Sequence, residues 1–145
     1  MVQLGVQRNA SAVWKGGLKD GTGAVSAGSG AFTSALYSFS SRFESARGTN
    51  PEELVAAAHA GCFSMALSGE LGKVGLRPDT IETKATLDFE KLDAGWTITS
   101  IHLDVAAKVP GANPSVFQKA AEMAKATCPI SRVLNAKITM QAKLV

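Results

Sequence analysis

Cys62 and Cys128 are the residues of this 145-residue chain whose settings say most about chemistry. A thiol does nucleophilic or redox work only as the thiolate, so the surroundings of each cysteine decide its role. Cys128 precedes Pro129. The residue before a proline disfavours helical geometry, and proline suits the first position of a helix. Cys128 is therefore expected as the N-cap of a short helix over 130–135, where partial positive charge and free N–H groups favour thiolate. A corner that simply needs a small residue is the plainer alternative. Cys62 stands in a long run with almost no charge. Burial alone would raise its pKa and leave it inert, so reactivity there requires a nearby cation. His59, three residues earlier, and Arg42, just upstream of the run, are the candidates. Each has a plain reading too: His59 as a core histidine bonded to a backbone carbonyl, Arg42 as a solvated strand residue. An arginine held at a thiolate would itself want an orienting carboxylate. Glu52 can supply one, although Glu52 and Glu53 are most simply helix-start charges.

These groups depend on the segment 48–72. Asn50 reads as an N-cap, Pro51 as the first helical residue, and Glu53 stands in capping-box register with Asn50. A helix is expected over 51–71, with Gly72 or Gly75 as its stop. It is apolar or small nearly all round, so it is expected to be buried. Glu52 and Cys62 are ten residues apart, roughly 15 Å along a regular helix. One straight helix cannot join them. Either Arg42 spans part of the gap or Glu52 reaches the Cys62 of a second subunit. The small residues Ala56, Ala57, Ala58, Ala60, Gly61, Ser64, Ala66 and Gly69 would let two such helices approach closely in an antiparallel pair.

Before this helix the chain reads as strands and turns: 12–15, a returning strand over 22–27, then 36–43. In the last of these, Tyr37, Phe39 and Phe43 alternate with Ser38, Ser40 and Arg42, which puts Arg42 off the aromatic face. After it come a strand over 80–91, a turn at Asp93-Ala94-Gly95 and a return strand over 96–109. A phase change between Ile98 and Ile101 suggests a bulge near Thr99-Ser100. A second amphipathic helix is expected over 114–127, turning Val116, Phe117, Ala120, Ala121 and Ala124 inward, and a final strand over 137–145. This order points to an α+β fold in one domain, residues 1–145.

Composition is that of an ordinary globular protein, 46% hydrophobic and 19% charged, with a mean hydropathy of +0.09. The net charge of +3 is scattered, with no basic stripe of the kind nucleic acid requires. The N-terminus lacks a signal-peptide pattern, and the longest apolar run is broken by His59, Gly61 and Ser64, too short to span a bilayer. The chain reads as cytoplasmic, without membrane or nucleic-acid partners. Cysteine and histidine spacing offers no paired metal ligands.

With these residues in view the sequence resembles the OsmC/Ohr family, in its OsmC branch. The resemblance is carried by the Trp14 strand, Phe39-Ser-Ser-Arg42-Phe43, Gly48-Thr-Asn-Pro-Glu-Glu-Leu54, Ala58-His-Ala-Gly-Cys-Phe-Ser-Met-Ala-Leu67, Asp93-Ala-Gly95, Val109-Pro-Gly111 and Cys128-Pro-Ile-Ser131. It implies an intertwined homodimer with antiparallel sheets around long central helices. It implies a thiol peroxidase for hydroperoxides, organic ones preferred, using no metal, flavin or haem. In that reading Cys62 is the peroxidatic cysteine, Cys128 resolves it to a disulfide, Arg42 activates the thiolate and Glu52 orients Arg42. A dithiol, such as a lipoylated protein, is the implied reductant. The competing class is a redox-sensing or small-molecule-binding dimer, and the plain one keeps both cysteines as core residues.

Overall fold

The computed structural model describes residues 5–145 of the chain, so the first four residues of the segment read for a signal-peptide pattern lie outside it. Contacts cluster in two compact units, one ending at Pro51 and the other running Glu52–Val145. The fold is α+β.

The first unit is a three-stranded antiparallel sheet, β1 Ala10–Lys15, β2 Thr22–Ala27 and β3 Ala35–Tyr37, in that order. Trp14 and Tyr37 meet on it with ring centroids 5.5 Å apart. Gly23 allows this packing, because a Cβ there would stand 2.4 Å from the Tyr37 ring and 2.7 Å from Trp14. The strand expected over 36–43 stops at Tyr37, and the chain turns into a short helix, α1 Phe39–Phe43. Ser38 ends the strand by capping: its hydroxyl accepts from the Ser41 N–H at 3.1 Å, and its own N–H donates to the Ser41 hydroxyl at 2.8 Å. That reciprocal pair satisfies two backbone donors and outweighs the strand-like alternation. Phe39 and Phe43 become i, i+4 neighbours with centroids 4.8 Å apart.

The second unit opens with α2, Pro51–Lys73. Gly75, at a φ of 78°, ends it in a Schellman arrangement. The Leu76 N–H reaches the Leu71 carbonyl at 2.9 Å, and the Gly75 N–H reaches Gly72 at 3.1 Å. A mixed sheet comes next, β4 Thr80–Leu92, β5 Gly95–Lys108 and β6 Lys137–Leu144. The β4–β5 pairing is antiparallel, and Thr99 is the extra residue of the expected bulge, since Asp88 faces Ser100 while Phe89 faces Ile98. The expected antiparallel pairing holds for β1–β2, β2–β3 and β4–β5, and the β5–β6 pairing adds a parallel edge. The intervening helices, α3 Pro114–Thr127 and α4 Pro129–Val133, carry the chain back so that β6 runs the same way as β5.

The odd-numbered residues Ile101 to Ala107 of β5 turn to the core, as does Val109 just beyond it. There Leu103, Val105 and Ala107 pack with Phe117, Ala121 and Ala124 of α3 and with Phe63, Leu67 and Leu71 of α2. The 59, 63, 67, 71 spacing is one stripe of α2. Burial of α2 nearly all round, as expected from composition, is not what the chain shows. Ala57, Ala58, Gly61, Met65, Ser68, Gly69 and Gly72 are exposed. By length and composition alone α2 is also apolar enough to cross a membrane, so the sequence argument from a broken run does not hold. Core helices pass the same measure.

Candidate active site

Cys62 and Cys128 are brought together. The Cys128 S–H donates to Cys62 Sγ at 2.8 Å, and both are free thiols, Cys62 half-buried and Cys128 1% exposed. Two elements make this possible. α2 is anchored through Phe63, Leu67 and Leu71, which fixes Cys62 on the edge of its buried stripe. α3 ends at Cys128, whose N–H still closes on the Ala124 carbonyl at 2.9 Å, and Pro129 then starts α4. Cys128 is thus the C-cap of one helix and the N-cap of the next. Its thiol makes no capping bond to α4 and so remains directed at Cys62.

Burial pushes the Cys62 thiol above its ordinary pKa, and Cys128 beside it pushes the same way; the backbone N–H of Ile130, bonded to Cys62, works in the opposite direction. A thiolate at neutral pH therefore requires a cation. His59 does not supply it. It is fully buried, and burial lowers its pKa, so it is neutral at pH 7. Its Nε2 pairs with the Ser131 hydroxyl at 2.7 Å, in place of the expected backbone carbonyl.

Arg42 stands in α1 of the first unit, not on a strand. Its guanidinium lies over the Phe43 ring, 5.3 Å from the centroid. It is therefore with the aromatic residues, contrary to the parity expected for a strand. A helical turn places consecutive side chains about 100° apart instead of on opposite faces. Arg42 lines an open cleft of about 250 Å³ with Trp14, Leu18, Tyr37, Phe39 and Phe43. Glu52 stands in the first turn of α2 and is 8% exposed. A carboxylate that buried is paired as a rule. Glu52 and Cys62 stay on one unbroken helix, so within one copy the separation of roughly 15 Å holds.

Sequence reasoning missed Ser131 and the Ile130 N–H. A signal for Ser131 was present: His59 lies three residues before Cys62, and Ser131 three after Cys128, so antiparallel elements that join the cysteines also face the other two. Among the described residues no cluster of three or more potential metal ligands forms.

In a protein of mixed helix and sheet, one thiol on the edge of a helix's buried stripe is met by a second, free thiol at the junction of two other helices. The OsmC-like protein family model matches residues 44–143, and the chain belongs to that family. It is 47% identical over 139 residues to the protein named peroxiredoxin OsmC of Escherichia coli, covering 96% of this chain and 97% of that one, and equally so to its Shigella flexneri counterpart. Among solved structures, the organic hydroperoxide resistance protein OhrB of Bacillus subtilis superposes with a TM-score of 0.71 at 22% identity, covering 93% of this chain and 98% of that one. An OsmC-like protein of Vibrio cholerae gives 0.78 at 15% identity, covering 95% and 99%. These two share the fold.

Proposed function

We propose that the chain is a thiol peroxidase that reduces organic hydroperoxides through Cys62 and Cys128. The observation that carries the reading is the 2.8 Å approach of the two free thiols. A disulfide needs about 2.05 Å between sulfurs, so bond formation asks for only a small further approach. The name peroxiredoxin on relatives nearly half identical supports the same chemistry.

The Cys62 thiolate attacks one oxygen of the O–O bond. The bond breaks, the alkoxide takes a proton from water and leaves as the alcohol, and the Cys62 sulfur, oxidised by two electrons, keeps the other oxygen and its proton as a sulfenic acid. Cys128 attacks that sulfur; the S–O bond breaks, water leaves and the disulfide forms. An external dithiol, such as a lipoylated protein, returns both cysteines to thiols by exchange. Arg42 supplies the positive charge that offsets the burial of Cys62, and Glu52 orients Arg42.

The working form is a homodimer in which the exposed face of α2 packs against a second copy. That face is a continuous run of small residues plus Met65, which is 80% exposed. Antiparallel pairing brings Glu52 of one helix towards Cys62 of the other and resolves the ten-residue separation. Of the apolar residues flanking Cys62 on α2, Phe63 and Leu67 are wholly buried and Met65 is exposed, so Met65 and the aromatic cleft beside Arg42 are the apolar surfaces that would receive an alkyl group.

The test is turnover. With a dithiol present, the wild type should consume cumene or tert-butyl hydroperoxide catalytically, with a higher kcat/KM than for hydrogen peroxide, and Cys62→Ser should not. One equivalent consumed, with no regeneration by any dithiol, would favour the redox sensor instead.

A further inference from the structure

His59 takes no part in the chemistry above, yet it is among the most completely buried side chains of the second unit. Its Nε2 meets the Ser131 hydroxyl at 2.7 Å, and Ser131 is itself 8% exposed. Its Nδ1 is buried with no hydrogen-bond partner among the described residues. An unpaired acceptor is less costly to bury than an unpaired N–H. The favoured tautomer therefore has the proton on Nε2, donating to Ser131. An apolar side chain of similar size would fill the same space without leaving a nitrogen unpaired. Packing alone does not account for a histidine here.

The placement of this bond gives it a use. α4 has five residues, too few to persist by itself. Its position comes from what it touches. Cys128 at its start meets Cys62, Ile130 packs against the core and gives its N–H to Cys62, and Ser131 meets His59. The Cys62–Cys128 and His59–Ser131 contacts are two rungs between the same two helices, one helical turn apart. The sulfur rung changes during the reaction, because Cys62 gains an oxygen and then forms a new bond. The His59–Ser131 rung contains no reacting atom and stays.

We propose that the His59–Ser131 hydrogen bond is a positioning clasp for the resolving step, resting on the peroxidase reading of the same cysteines. It holds α4 on α2 while Cys62 is a sulfenic acid, so that Cys128 attacks before a second peroxide does. A clasp of this kind acts on disulfide formation and leaves the first attack on peroxide alone. Its loss exposes Cys62 to oxidation to the sulfinic acid.

The experiment compares the full chain with Ser131→Ala and with Ser131→Thr, which retains a hydroxyl. The reduced proteins are mixed with cumene hydroperoxide. Peroxide consumption, dimedone-trapped Cys62 and the linked Cys62–Cys128 peptide are monitored in time. Ser131→Ala should consume the first equivalent at the wild-type rate but form the disulfide about ten- to a hundredfold more slowly, the range expected for a displaced reacting group. Sulfenic and sulfinic acid should accumulate on Cys62. Ser131→Thr should restore the wild-type rate. Wild-type disulfide formation in Ser131→Ala, or equal slowing of both steps, overturns the clasp. A second probe needs no peroxide. An aromatic disulfide reagent, 5,5′-dithiobis(2-nitrobenzoate), forms a mixed disulfide on Cys62 and releases one thionitrobenzoate; attack by Cys128 then releases the second. The clasp requires Ser131→Ala to slow only the second release. An unchanged second release refutes the clasp, and absence of peroxide consumption in the wild type refutes the peroxidase reading separately.

Discussion

Replacing Gly61 and Gly69 by alanine separates two states of α2 that differ in the sign of the effect. Both glycines lie inside the helix, both are exposed, and a Cβ at either would meet nothing within 4 Å in one copy of the chain. Glycine in a helix interior is less favourable than alanine by about 0.8–1.0 kcal/mol. The sites are two turns apart and share no partner, so the gains should add to about 2 kcal/mol. For a chain of this size that corresponds to a rise in Tm of roughly 4–8 °C. This is the outcome for an α2 whose outer face meets only water. If that face packs on a second copy, close approach is what the glycines permit, and each added methyl overpacks the contact at about 1–3 kcal/mol. The double variant should then melt lower than the wild type and dissociate at higher concentration. The assays are sedimentation velocity and thermal unfolding at several protein concentrations, because a dimer's Tm rises with concentration. We expect a destabilised, more readily dissociated dimer. A monomeric wild type, together with a Tm raised by the amount helix propensity supplies, would refute the use assigned to this face.

Arg42→Met should move the pH–rate profile for peroxide attack to higher pH. Only the thiolate reacts, burial and Cys128 already push Cys62 up, and an opposing charge at close range is worth about 1–3 pKa units; an unmoved midpoint would remove Arg42 from the site. His59 is held neutral by burial, with its pKa lowered, so below about pH 6.5 the unfolded chain binds a proton the folded one does not. Stability present above that pH should be lost as pH falls towards the folded pKa, at up to about 1.4 kcal/mol per pH unit. Urea unfolding at several pH values should show this component in the wild type and not in His59→Gln, and parallel curves would contradict it.

Several elements could be read directly from residues because their signals are local. Pro114 and Pro129 mark helix starts, Gly75 supplies a left-handed stop, and the phase change in β5 gives its bulge at Thr99. The Tyr37–Phe43 segment failed because Phe39 and Phe43, four apart, share a face in either a strand or a helix, and the Ser38–Ser41 cap that decides between them requires two side chains to answer each other. The parallel placement of β6 is a property of the crossover, not of the strand's own pattern. The character of α2 was legible in type but not in extent. Apolar composition says that a surface is to be covered, and it does not say whether the cover is the chain's own sheet or a second copy. At the site, the two cysteines were visible as candidates from their settings, while their meeting is a long-range fact. Ser131 escaped notice because its offset from Cys128, matching that of His59 from Cys62, means something only once the two cysteines are known to meet.

The central claim is that Cys62 and Cys128 of one chain form a bond when peroxide arrives. Peptide mass spectrometry of the reduced protein after one equivalent of cumene hydroperoxide tests it directly, with isotopically mixed chains to separate links within a chain from links between chains. The account predicts a Cys62–Cys128 linked peptide approaching one per chain, formed within chains and absent from Cys62→Ser. Peroxide consumed with both cysteines still alkylatable, or links found only between chains, would contradict it.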